Sequence, residues 1–281
     1  MCRLFGFRSV ISSQVHTSLI SADNALMYQS PQHPDGWGVA YYIAESPHVI
    51  RSLTAAIDCQ LFKKVSGIVS SQTVLAHLRK STIGEHKIVN THPFQFGRWT
   101  FAHNGNIKNF SKIEEKLKKK VKESLKGFIL GNTDSELTFF LILSFLAEKT
   151  SLDNDTISLT DLAAACRKAI EFISQLSGPL HTSDSGPASE NYLTFIITDG
   201  KIMLAFHGGK NLFYSTHKKL CPDRDHCSGF NKSCENPTTK GKVNHLLFSS
   251  EPVKRDNIWQ AMKFKQMIGI NQHMELFLDL S

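Results

Sequence analysis

The chain has no apolar run long enough to cross a membrane. Its most hydrophobic stretch, Leu137-Thr138-Phe139-Phe140-Leu141-Ile142-Leu143-Ser144-Phe145-Leu146-Ala147, falls well short of the roughly 20 residues a spanning helix needs. It reads as a buried helix, and no membrane partner is expected. A basic segment followed by an apolar one is also missing near the N-terminus, so the expected compartment is the cytoplasm. There is no internal repeat and no RNA- or DNA-reading motif. The formal net charge of +7 therefore does not call for nucleic acid. Its densest basic run, Lys116-Leu117-Lys118-Lys119-Lys120-Val121-Lys122, follows Glu114 and Glu115 and has the form of a solvated helix face. Cysteine is scarce: six in 281 residues argue against a disulfide framework in a cytosolic chain, so each cysteine needs its own account. Cys59 and Cys166 lie in apolar helical contexts and read as core residues.

With 41% hydrophobic and 20% charged residues, the chain can bury a sizeable core. Strands are predicted at 2–8, 38–43, 73–78 and 99–103, with a helix at 17–29. Ser111-Lys112-Ile113-Glu114 has the form of a capping box opening a helix over 112–125, and Thr133-Asp134-Ser135-Glu136 opens the apolar helix in the same way. A further helix is predicted at 159–176. After a Gly/Ser/Pro-rich loop, 191–198 and 201–206 flank Asp199-Gly200, a hairpin signal, and 243–249 and 274–280 supply further strands. Strands, then helices, then strands favour a layered α+β sandwich over a doubly wound sheet.

Polar clusters fall where these strands would end. Cys2 stands second in Met1-Cys2-Arg3-Leu4-Phe5-Gly6. If Met1 is removed, Cys2 carries a thiol and an α-amine on one residue, and the amine can take the proton as the sulfur attacks a carbonyl. A small residue opening a buried strand is the alternative. Pro34-Asp35-Gly36-Trp37-Gly38 suits either close approach to a ligand or a turn around a buried tryptophan. Arg79, in His77-Leu78-Arg79-Lys80-Ser81-Thr82-Ile83-Gly84, can grip a carboxylate through two parallel hydrogen bonds or make an ordinary surface ion pair. Asn104 and Gly105 can form an oxyanion hole or a hairpin turn. Asp134, at a helix start, can accept a substrate ammonium or simply stabilise the helix.

Taken together and in this order, Cys2, the Arg79 segment, Asn104-Gly105 and Asp134 resemble the glutaminase domain of the class II glutamine amidotransferases, which are N-terminal nucleophile hydrolases. The stand-alone branch is the most similar, through Met1-Cys2-Arg3-Leu4-Phe5-Gly6, His33-Pro34-Asp35-Gly36-Trp37-Gly38, Asn90-Thr91-His92-Pro93-Phe94 and Ser249-Ser250-Glu251-Pro252. The resemblance covers nearly the whole chain and implies one domain over 2–281, built as a four-layer α/β/β/α sandwich. It implies Cys2 as nucleophile with its own α-amine as base, and Asn104 and Gly105 as the oxyanion hole. Arg79, with Thr82 nearby, would bind the α-carboxylate of glutamine or another γ-glutamyl compound, and Asp134 its α-ammonium. No cofactor is expected. Larger synthase-linked members read Trp-Ala-Thr-His-Gly after the arginine; Lys80-Ser81-Thr82-Ile83-Gly84 stands here instead, so the floor of the site is expected to differ. Too little chain is left over for an acceptor domain. The expected roles are an amidotransferase working with a separate acceptor or amidase subunit, a self-sufficient γ-glutamyl hydrolase, or a non-catalytic glutamine-sensing subunit.

A cysteine-rich insertion at about 217–242 has no counterpart among these motifs. Cys221, Cys227, Cys234 and His226 are candidate zinc ligands, although Cys-x5-Cys-x6-Cys is not a standard zinc spacing. A polar insertion near the site mouth or a redox-sensitive pair are the other readings.

Overall fold

In the computed structural model, which describes residues 2–81, 84–253 and 256–279, the apolar segments form fourteen strands among the described residues. These are β1 (Arg3–Gln14), β2 (Trp37–Ile43), β3 (Ser46–Ser52), β4 (Ser70–Leu78), β5 (Phe94–Phe96), β6 (Trp99–Asn106), β7 (Tyr192–Thr198), β8 (Met203–Phe206), β9 (Phe213–Ser215), β10 (Gly241–Lys242), β11 (His245–Ser249), β12 (Gln260–Ala261), β13 (Met267–Ile270) and β14 (Glu275–Asp279). They make two seven-stranded sheets, ordered β12-β9-β11-β1-β4-β2-β3 and β10-β14-β13-β8-β7-β6-β5. The helices are α1 (Leu26–Gln29), α2 (Gln60–Ile68), α3 (Phe110–Lys120), α4 (Glu123–Lys126), α5 (Asp134–Leu146) and α6 (Leu159–Ser177).

Strand alternation sorts the side chains into layers. Leu4, Leu75, Ala102 and Ile196 meet between the sheets. Phe5, Phe7, Val74, Ala76 and Leu78 face the other way and pack with Phe62 and Val65 of α2. On the second sheet, Phe101, Leu193, Phe195 and Ile197 pack with α3, α5 and α6. The result is the expected α/β/β/α sandwich. Every residue of α5 is buried, which explains why its sequence is apolar all round rather than on one stripe.

Several boundaries depart from the sequence reading. The predicted helix at 17–29 is instead a π turn at Thr17–Ser21 and the single turn of α1, interrupted at Asn24, which takes a positive φ of 60°. The capping box at Ser111 does not form: α3 starts at Phe110 behind a left-handed Asn109 and ends at Lys120. At α5 half of the expected box is made. Thr133 Oγ1 accepts from the Glu136 N–H, but the Glu136 carboxylate turns to the N–H groups of Leu130 and Gly131. Strand β3 has no counterpart in the sequence reading. The hairpin around Asp199-Gly200 is present as β7–β8.

Candidate active site

Strand register brings Cys2 to Arg79. β1 and β4 are antiparallel with Arg3 opposite Leu78, so one step further out Cys2 meets the residues that follow β4. The Lys80 N–H donates to Cys2 Sγ at 3.3 Å, and the thiol reaches the Lys80 carbonyl at 3.4 Å. Burial pushes the Cys2 thiol above its ordinary pKa, with the Lys80 N–H and the Arg79 guanidinium pulling the other way. The start of β1 is clamped by Ser249-Ser250-Glu251-Pro252. Ser250 exchanges hydrogen bonds with Leu4 through Oγ (2.9 Å) and N–H (3.0 Å), and Glu251 pairs with Arg3.

Arg79 is 3% exposed, and β4 parity turns it toward the inter-sheet layer. Its Nη2 donates to Ser81 Oγ at 3.2 Å and to the Glu85 carbonyl at 3.1 Å, while Nη1 is buried with no hydrogen-bond partner among the described residues. The surface ion pair is therefore ruled out: the side chain is inside, and no carboxylate pairs with it among the described residues. A buried guanidinium with an open donor is costly unless an anion completes it. Pro34-Asp35-Gly36-Trp37-Gly38 supports this loop. Arg79 N–H donates to the Gly36 carbonyl at 2.8 Å, Asp35 N–H to the Arg79 carbonyl at 3.2 Å, and Ser81 N–H to Asp35 Oδ2 at 2.7 Å. Trp37 is fully buried, so the turn around a buried tryptophan is what forms.

Asn104 and Gly105 lie inside β6, not in a hairpin turn. Asn104 falls on the face of β6 that looks toward the first sheet, and it is 3% exposed. Its Oδ1 is buried and has no partner among the described residues. The Leu193 N–H is committed to the Gly208 carbonyl at 3.0 Å, on the far side of β7. The Gly105–Leu193 pair is thus a non-hydrogen-bonded one, and the Gly105 N–H points away from β7. Only glycine fits there, because a Cβ would sit 1.9 Å from the Tyr192 carbonyl and 2.1 Å from His103 Nε2.

Asp134 is the first residue of α5, 3% exposed. Oδ2 accepts from the Ile107 N–H at 2.7 Å, which ties the helix to the end of β6, and Oδ1 accepts from the Ser135 hydroxyl at 3.2 Å. It makes no ion pair among the described residues. Its charge is felt at both Cys2 and His103. Asn90 joins the two charged ends of the site: Nδ2 donates to the Glu85 carbonyl (3.0 Å) and to Asn132 Oδ1 (2.8 Å), and Oδ1 accepts from the Asn132 N–H (3.1 Å). One asparagine thereby holds the Arg79 loop against the loop leading to Asp134.

Beneath the site, His77, His92 and His103 are all buried. Burial holds His77 near a pKa of about 3 and lowers His92 and His103 as well. The three imidazoles are therefore neutral near pH 7, and the charges of Arg79 and Asp134 both act on the thiol.

Thr82 lies outside the described residues. Cys2, Arg79, Asn104, Gly105 and Asp134 all come to one end of the sandwich. Lys80 and Asn90 stand in quoted motifs but had no role assigned to them; Lys80 acts through its backbone, which leaves no trace in residue type. Cys221, Cys227, Cys234 and His226 do not form a metal centre: among the described residues no three His, Cys, Asp or Glu groups gather to hold an ion. Cys166 is fully buried as expected, whereas Cys59 is only partly buried, just before α2. No helix among the described residues is long and apolar enough to cross a membrane.

A family model described as class II glutamine amidotransferases matches residues 1–274. A probable glutamine amidotransferase of Saccharomyces cerevisiae is 29% identical over 225 residues, 73% of this chain and 62% of the relative. A putative glutamine amidotransferase of Haemophilus influenzae is 30% identical over 195 residues, 66% of this chain and 56% of the relative. The chain thus aligns with less than two thirds of the length of either. A γ-glutamyl-hercynylcysteine sulfoxide hydrolase of Mycobacterium tuberculosis is 32% identical over 119 residues, 38% of this chain and 50% of that protein. In fold, the chain is similar to a glutamine aminotransferase class-II domain protein of Silicibacter pomeroyi, with a TM-score of 0.64 and 19% identity over 99% of this chain and 98% of that one.

Proposed function

Because the chain belongs to the class II glutamine amidotransferases, we propose that, once Met1 is removed, it hydrolyses the γ-amide of glutamine through a γ-glutamyl thioester on Cys2. The observation that carries this reading is the pairing of two incomplete charges at one end of the sandwich. Arg79 has a buried, unpartnered Nη1, and Asp134 is a buried carboxylate without a cationic partner among the described residues. The α-carboxylate and α-ammonium of a γ-glutamyl group complement both, and binding them would bring the γ-carbonyl to the thiol.

A protonated Cys2 thiol loses its proton as the Sγ–carbon bond forms. The Cys2 α-amine takes it. Negative charge then gathers on the carbonyl oxygen, where the Asn104 amide and the Gly105 N–H serve as donors. The α-ammonium returns that proton to the γ-nitrogen, and collapse of the intermediate breaks the carbon–nitrogen bond and expels ammonia. Water attacks the thioester by the same route and releases glutamate.

Hydrolysis of a larger γ-glutamyl amide is the second reading, favoured by the similarity to the mycobacterial hydrolase; Arg79 and Asp134 would read the same half of either substrate. Glutamate release by protein beginning at Cys2, with glutamine and a γ-glutamyl peptide assayed side by side, separates the two. Release from neither would leave a glutamine-sensing subunit, and equal release by Cys2→Ala would remove Cys2 as the nucleophile.

A further inference from the structure

At the opposite end of β1 from Cys2, a cavity of about 800 Å³ opens between the outward face of the first sheet and the cysteine-rich insertion. Ser9 on its wall lies seven residue steps from Cys2 along β1, roughly 23 Å, so the cavity is distinct from the glutaminase site. Phe7 and Leu247 line its apolar side, and three free thiols, Cys221, Cys227 and Cys234, line the other. Lys218 Nζ lies 3.8 Å from Cys221 Sγ and makes no ion pair among the described residues. Asn244 Nδ2 donates to Cys234 Sγ at 3.0 Å. The Lys218 N–H donates to the Cys234 carbonyl at 2.8 Å, which fixes the two thiol-bearing segments beside each other. His245 also lines the cavity; it is 8% exposed and its Nε2 is buried without a partner among the described residues. The proposed glutaminase reaction uses none of these groups.

We propose that this cavity is a thiol-exchange site, admitting a low-molecular-weight disulfide of amino-acid size and receiving one half of it on Cys221. The volume suits such a ligand. Lys218 and His245 offer donors to its carboxylate, and Asp223, also on the wall, an acceptor to its ammonium. In the exchange, Cys221 Sγ attacks one sulfur of the ligand, the new S–S bond forms as the ligand's own breaks, and the departing half leaves as a thiolate that takes the proton given up by Cys221. Cys221 is oxidised and the departing sulfur reduced, so no other oxidant enters. The Lys218 ammonium attracts the negative charge that gathers on sulfur during attack.

The test is to incubate the full chain with cystine, which carries no γ-glutamyl group to engage Cys2 chemistry, and to map adducts by peptide mass spectrometry. Cys221 is expected to be modified faster in the native chain than in the urea-unfolded chain, with Cys166 remaining free. Lys218→Met is expected to slow the reaction several-fold and Lys218→Arg to restore it. Native Cys221 reacting no faster than unfolded, or adducts confined to Cys2 and Cys59, would overturn the proposal without using any variant; an unchanged rate in folded Lys218→Met would overturn the role of the lysine. Neither result bears on glutamate release.

Discussion

Replacing Arg79 with methionine should separate substrate recognition from stability. Nη1 is buried and has no hydrogen-bond partner among the described residues, a situation that costs about 1–3 kcal/mol. Against this stand the two bonds from Nη2, at 3.2 Å to Ser81 Oγ and 3.1 Å to the Glu85 carbonyl, each worth about 1.5–3 kcal/mol because the donor is charged. The two sides partly offset, so Arg79→Met should lower the unfolding free energy by about 2–3 kcal/mol. Glu85 also stays anchored by Asn90 at 3.0 Å, which limits collapse of the loop. Binding is different, because methionine offers no donor to a carboxylate. Losing one charge-assisted bond of about 1.5–3 kcal/mol lowers kcat/KM for glutamine roughly 10- to 150-fold. Arg79→Lys keeps the charge without the planar fork and should fall between. The assay is steady-state glutamate release together with urea unfolding of the same preparations. Normal KM and kcat/KM in folded Arg79→Met would refute the carboxylate assignment. A loss of activity that merely tracks a loss of folded protein would refute the separation of the two roles.

Two further outcomes are expected. Asn104→Ala should lower kcat by about 100- to 1,000-fold with KM little changed, since its amide acts on charge present only in the transition state; a change confined to KM would make it a ground-state contact. Acid should destabilise the fold below the ordinary histidine range. The pKa of His77 is depressed from 6.5 to about 3 by burial, so the unfolded chain binds a proton that the folded chain refuses. Stability is then full above about pH 6.5 and declines as pH falls toward 3, by about 1.4 kcal/mol per pH unit for this residue. His92, His103 and His245 are lowered in the same direction. Urea midpoints that are flat between pH 7.5 and 5 would contradict a neutral histidine layer.

The motifs and their order carried most of the candidate site: Cys2, Arg79, Asn104, Gly105 and Asp134 are all visible as residue types at strand ends and one helix start. Element type was legible where the pattern was long and continuous, as in α5 and α6, or where turn chemistry was strong, as at Asp199-Gly200. It was not legible where local signals compete. Ser111 and Glu114 have capping spacing, yet α3 begins one residue before Ser111, because Phe110 and Ile113 bury together with α5 and that packing sets the helix start. Asn104-Gly105 is a turn signal by composition, but pairing with β7 and the space closed off by Tyr192 and His103 hold it in a strand.

What the sequence by itself determined is the inventory: a core large enough for two sheets and their helices, and candidate site residues that stand at or near the ends of elements. Proximity was decided only in three dimensions. Cys2 and Arg79 are 77 positions apart, yet the register Arg3–Leu78 makes them neighbours. Asn90 spans two loops through one side chain, and the Lys80 N–H reaches the thiol through a backbone group that every residue except proline has. Most decisive is burial. Residue type does not say whether an arginine is wet and paired or enclosed with an open donor, because that depends on which layer strand parity turns it toward and on whether a carboxylate follows it there. For Arg79 the parity of β4 turns it inward, and no carboxylate among the described residues follows.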